Sequence, residues 1–166
     1  MPVRPVLQLP HPVLTSPASP VGDDIAAARA LGADLVDTMY ASPACVGLAA
    51  PQIGVGLRAF CLDVSAHKKV TACHGLVVLV DPVILWGEDP VVQREGCMSV
   101  PDFTGDVARP RRIAVSGYDL SGETITIESE GFEARAFLHE IDHLDGRVFL
   151  DRVAGPHAVF PRKVYR

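Results

Sequence analysis

The stretch FLHEIDHLDGRVF, residues 137–149, holds the pattern H-E-x-x-H as His139, Glu140 and His143. The window 132–144 predicts a helix, entered after the strand-breaking Gly131 and stopped by Gly146. In a helix, residues i and i+4 stand one turn apart on one face, so His139 and His143 can direct an imidazole nitrogen at one ion. Glu140 sits one step round, placed to reach a water beside that ion rather than the ion itself. The competing reading is a helix that carries two histidines by chance. Two ligands do not close a site, so a third must come from elsewhere in the chain.

Downstream, no glutamate follows Glu140, which removes the zinc-hydrolase pattern with a later Glu ligand. The longer pattern H-E-x-x-H-x-x-G-x-x-H is matched as far as Gly146 and ends on Phe149 instead of histidine. Asp151 and His157 remain as downstream candidates; Asp151 is expected to pair with Arg152 or solvent, and His157 lies in a Pro/Gly-flanked tail. Upstream, the best candidate is Cys97 in REGCMSVP, since a thiolate is a strong ligand for zinc or ferrous iron. It follows a strand-like run and stands beside a glycine that lets the backbone approach closely. A single cysteine is also commonly a small buried apolar residue.

The surrounding chain has 166 residues, 48% hydrophobic and 21% charged, with a net charge of −5. That suits one domain, 1–166, with a proper core, and argues against nucleic acid as a partner. Arg162, Lys163 and Arg166 are expected to form a solvated tail. The opening MPVRPVLQLPHPV has prolines where the apolar core of a secretory leader would lie. No run approaches a membrane span. Four cysteines (Cys45, Cys61, Cys73, Cys97) without a C-x-x-C pair fit reduced thiols in a cytoplasm, bacterial by preference, with a mature organellar protein as the alternative.

The proline-rich residues 1–20 are expected to wrap over the domain without a helix of any length. Residues 23–40 predict a helix capped by Asp23 or Asp24, with Ile25, Ala28, Leu31, Leu35 and Met39 as its apolar stripe. Residues 42–56, SPACVGLAAPQIGVG, fit no ordinary element. LRAFCLDV, GLVVLVDPVIL, PVVQREGCMSV, RRIAVSGYDL and ETITIES read as strands, the last two joined by a turn at residues 121–122. Helix, strands, helix with tight connections between strands is an α+β order rather than alternating βαβ.

Three stretches in this order, GLAAPQIGV (47–55), EGCMS (95–99) and HEIDH (139–143), resemble the peptide deformylases, and residues 6–21 are similar to that family's opening. The resemblance implies an α+β fold of antiparallel sheets packed around a central H-E-x-x-H helix, with an N-terminal helix. It implies Cys97, His139 and His143 as ligands of one divalent ion. That ion would be Fe2+ in the cell, with Zn2+, Ni2+ or Co2+ in purified protein. It implies Glu140 as general acid/base, and Gln52 and the Met98 N–H as donors to the attacked formyl oxygen. Val46, Gly47, Phe132 and Arg135 fall where the family lines its methionine pocket or holds the peptide.

The implied reaction is hydrolysis of N-formyl-methionyl nascent peptides to formate and a free amino terminus. Docking near the ribosomal exit tunnel is part of that implication. The sequence departs from the family pattern at Cys45, in place of a glycine, at Met98, in place of leucine, and at Leu138, in place of glutamine. The long C-terminal helix of many members is missing from the pattern. Glu95 and Arg109 are expected to pair and fix the Cys97 loop, and Asp142 is expected to face away from the ion and anchor its helix. Two rivals remain: a zinc peptidase of another class, and a non-catalytic binding module that keeps a structural metal.

Overall fold

A computed structural model describes residues 3–163 of the chain. Two helices and six strands form the frame: α1 (Ile25–Ala41), β1 (Gly47–Ala49), β2 (Ala59–Leu62), β3 (Val77–Cys97), β4 (Val100–Tyr118), β5 (Thr124–Glu130), α2 (Gly131–Leu144) and β6 (Val159–Pro161). All strand pairs are antiparallel, in the order β1-β2-β3-β4-β5, and β6 adds to β4 at Phe103–Gly105. The α+β class is as the sequence reads; the strands join into one sheet rather than separate sheets. The reason is β3, one continuous strand where the sequence reads two, residues 75–85 and 90–100. A register shift between Val80 and Val83, with positive φ at Asp81 (49°), accommodates Pro82, whereas Pro90, preceded by Asp89 at positive φ (58°), stays paired opposite Pro110.

The Asp24 side chain accepts from Ala27 N and caps α1, whose Ala28, Leu31, Leu35 and Met39 are buried. Ile25, on the same expected stripe, is 41% exposed at the first turn. The core lies between the sheet and α2, where Phe137, Ile141 and Leu144 meet Phe60, Leu62 and Leu79. The Phe60 and Phe137 rings meet edge to face at 5.9 Å. The N-terminal arm does wrap: Leu7 N donates to Gln52 O, Leu9 N to Ser99 O, and Ala18 N to Leu144 O. One short turn of 3₁₀ helix, Pro12–Thr15, interrupts it.

β6 has no sequence signature, and it corrects the reading of the tail. Arg162 follows it and donates to the carbonyl oxygens of Cys97, Val100 and Phe103 at 3.2–3.4 Å. Pairing of β6 with β4 carries the side chain there. Residues 164–166, including Arg166 and the expected lack of a terminal helix, lie outside the described residues.

Candidate metal centre and active site

The strongest structural feature of α2 is what it buries. Glu133, Arg135, Glu140, Asp142 and His143 are all at most 5% exposed. Burying so many ionisable groups on one helix is costly unless each is paired or held for chemistry.

β3 and β4 reverse through a two-residue turn, Met98-Ser99, which delivers Cys97 to the face of α2. Cys97, His139 and His143 each present a ligand atom, all within 4.8 Å of one another. Cys97 Sγ lies 3.4 Å from His143 Nε2. Of the candidate third ligands, Cys97 is therefore the one that converges. Asp151 caps Val148 N, Arg152 pairs with Asp142 instead of Asp151, and His157 stays exposed. Phe149, in the slot where another pattern has histidine, is buried with its ring roughly parallel to His139 at 6.4 Å.

The charges favour a cation. Burial alone would raise the Cys97 thiol, but the neighbouring His143 and His139 reverse this and hold it well below the usual thiol range. Burial opposes charge on His139 too, and the Cys97 and Glu95 partners raise it well above the usual imidazole range. Such a thiolate–imidazolium cluster is the state that a divalent ion displaces, releasing protons. One soft thiolate and two imidazoles suit zinc or ferrous iron.

Behind the ligands sits the expected Glu95–Arg109 pair, with distances of 2.6 and 3.0 Å. The same carboxylate accepts from Arg135 Nη1 at 2.6 Å and lies 2.9 Å from His139 Nδ1, which leaves Nε2 of His139 free to face the ion. Burial works against the Glu95 charge, yet His139 and Arg109 bring its carboxyl down to about 2. Asp142 faces away from the ligand cluster and ties α2 to Arg109 at 2.9 Å and Arg152 at 2.8 Å. The linkage of Glu95 to His139 as well as to the Cys97 strand escapes a reading by spacing, because it spans 44 residues.

Glu140 is buried, with Oε2 unpartnered among the described residues. Burial pushes its carboxyl up to about 7. A carboxyl at that value can take and return a proton at neutral pH. Its space depends on Gly47: a Cβ there would come within 2.7 Å of Glu140 Oε1.

Gln52 lies on a short 3₁₀ helix, Ala50–Ile53. Its Oε1 accepts from Ala49 N, so Nε2 points to Ser99 Oγ at 3.1 Å and Cys97 Sγ at 3.5 Å. Cys45, half-buried, donates to Gly47 O at 3.2 Å, and burial and then Glu140 push its thiol up to about 11.

A cavity of about 430 Å³ opens above this cluster. Val46, Gly47, Gln52 and Met98 line it, as do Phe132, Arg135, His139 and Glu140; His143 lies beneath. Arg135 contributes its stem, since its guanidinium is held by Glu95, Val107 O and Val91 O. His67, Arg94, Thr104 and Arg162 also line it, and none of them carries a motif. His67 stacks on Phe132 at 4.0 Å.

A Cys/His/His donor set with a buried glutamic acid beside it and an open cavity above is the centre of a metal-dependent hydrolase. Comparison with known proteins gives the family. The polypeptide deformylase profile matches residues 3–158. The peptide deformylase of Halothermothrix orenii is 41% identical over 92% of this chain and 95% of its own. That of Bartonella tribocorum is 39% identical over 93% and 86%. The crystal structure of the peptide deformylase from Thermus thermophilus superposes with a TM-score of 0.83 at 38% identity, covering 93% of this chain and 88% of that one. The Synechococcus elongatus deformylase, solved in complex with actinonin, gives 0.83 at 33% identity, covering 95% and 82%. The chain belongs to the polypeptide deformylase family.

Proposed function

We propose that the chain, as one catalytic domain over 1–166, removes the N-formyl group from N-formyl-methionyl peptides of newly made proteins, with the roles divided as follows. Cys97, His139 and His143 would hold one divalent ion, which would supply Lewis-acid polarisation and lower the pKa of the attacking water towards neutrality. Glu140 takes the proton of the attacking water and returns it to the leaving amine. The Gln52 side-chain amide and the Met98 N–H donate to the formyl oxygen as charge develops there; losing one such donor raises a barrier by ~2.7–4 kcal/mol. Val46, Gly47, Phe132 and the stem of Arg135 line the methionine pocket. The observation that carries this reading is the buried, unpartnered Glu140 carboxyl beside a converging Cys/His/His set. A closed structural site has no use for such a group.

Ferrous iron is the ion proposed for the cell, and zinc, nickel or cobalt suit the same donors in purified protein. Four free cysteines support a reducing bacterial cytoplasm as the setting. Nascent chains at the ribosomal exit tunnel are the proposed substrates. No helix among the described residues is long and apolar enough to cross a membrane. The test is formate release from a short N-formyl-Met peptide by anaerobic, iron-loaded protein, with the N-acetyl peptide as control. Release from the formyl peptide alone is expected; no release despite one bound ion per chain would refute the reading.

A further inference from the structure

The cavity is lined by arginines as well as by the carboxyl groups of Glu95 and Glu140. Arg94, Arg135 and Arg162 all line it, in a chain whose net charge is −5. Two of these charges are matched: Arg135 by Glu95 at 2.6 Å and Arg94 by Asp106 at 2.8 Å. Arg162 has no carboxylate within ion-pair distance among the described residues. Its Nη2 rests on three backbone carbonyls of the Cys97–Phe103 hairpin. The guanidinium fills the space left by the missing side chain of Gly96, where a Cβ would meet Nη2 at 2.8 Å. An arginine held through one nitrogen keeps its remaining donors for a second partner. Its neighbours across the wall, Thr104 and Arg94, add no negative charge.

We infer that Arg162 forms an anion subsite on the substrate side of the cavity, which binds a peptide carboxylate downstream of the formyl-methionine. This rests on the deformylase reading and adds a sequence preference to it. The carboxylate can be an Asp or Glu side chain, or the free C-terminus of a short peptide. Because Arg162 is exposed, the preference is modest and screened by salt.

The test runs on the metal-loaded protein in two measurements. Calorimetry compares binding of the unformylated products Met-Ala-Asp-amide and Met-Ala-Asn-amide, and of Met-Ala-Asn as free acid against amide. Formate release is followed in parallel from the three formylated counterparts. At low ionic strength the carboxylate-bearing member of a pair should bind about three- to fivefold tighter, with kcat/KM following. The ratio should fall toward one in high salt and in Arg162→Gln, and should persist in Arg162→Lys. Using a ratio cancels any general loss caused by loosening the Cys97 turn. The Asp/Asn pair and the acid/amide pair separate the two sources of carboxylate, and a preference in either supports the subsite. Equal binding in both pairs by the unmutated protein overturns it, as does a preference that Arg162→Gln leaves unchanged. Absence of formate release alongside a normal binding ratio would count against the reaction and not against the subsite.

Discussion

Gly47→Ala isolates the placement of the base. The added Cβ would stand 2.7 Å from Glu140 Oε1, 3.1 Å from Cδ and 3.2 Å from Cγ. An ordinary carbon–oxygen contact needs about 3.4 Å or more, so the carboxylate must retreat by roughly 0.7 Å. Glu140 is buried on a packed helix, so the retreat turns it away from the ligand cluster rather than into solvent. Misplacing a catalytic group by about 1 Å costs on the order of 10²-fold, so kcat should fall ~30- to 100-fold, about 2–3 kcal/mol of barrier. Metal content should stay at one ion per chain, because no ligand atom is touched. Steady-state formate release with metal analysis on the same sample reads both. Gly56→Ala, where an added Cβ meets nothing within 4 Å, is the control for a glycine change alone. A Gly47→Ala enzyme with unchanged kcat would refute the argument that this glycine exists to admit Glu140.

Further outcomes follow from the same geometry. Glu140→Gln should lose turnover by at least 10²-fold while keeping its ion and its Tm within a few degrees; unchanged turnover would end the catalytic assignment. Glu95→Ala leaves buried Arg109 and Arg135 without their shared carboxylate, so it should cost about 3–5 kcal/mol in urea unfolding and speed loss of the ion to a chelator; wild-type values in both would sink the clamp. The Glu95 carboxyl is depressed from 4.5 to about 2, so its stabilisation is complete above pH 4.5 and lost as pH falls through about 2. That is worth roughly 3 kcal/mol, and Glu95→Gln should flatten the decline of stability across this window. In metal-free protein, Cys97 should be alkylated at neutral pH ahead of Cys45, whose thiol is pushed up to about 11, and reloading the ion should protect it. Peptide mapping that finds Cys45 modified first would contradict this ordering.

Local chemistry made the candidate ligands legible. His139 and His143 share a helix face by spacing alone, and Glu140 follows from the same turn. Cys97 could be ranked but not chosen by residue chemistry; the order of three motifs tied it to the pair. The Glu95–Arg109 pair, 14 residues apart across a hairpin, was legible through the family resemblance, which places an arginine at position 109. Tertiary structure alone decided the rest. Arg135 is a helix residue whose head finds Glu95 40 positions away. Gly47 and Glu140 meet only when β1 packs on α2. Arg162 reads as a loose basic tail until β6 pairs with β4 and carries it to the cavity. The physical reason is common to these cases. Sequence periodicity reports which residues share one element's face, whereas close approach between elements depends on sheet register and side-chain volume, which no single stretch encodes.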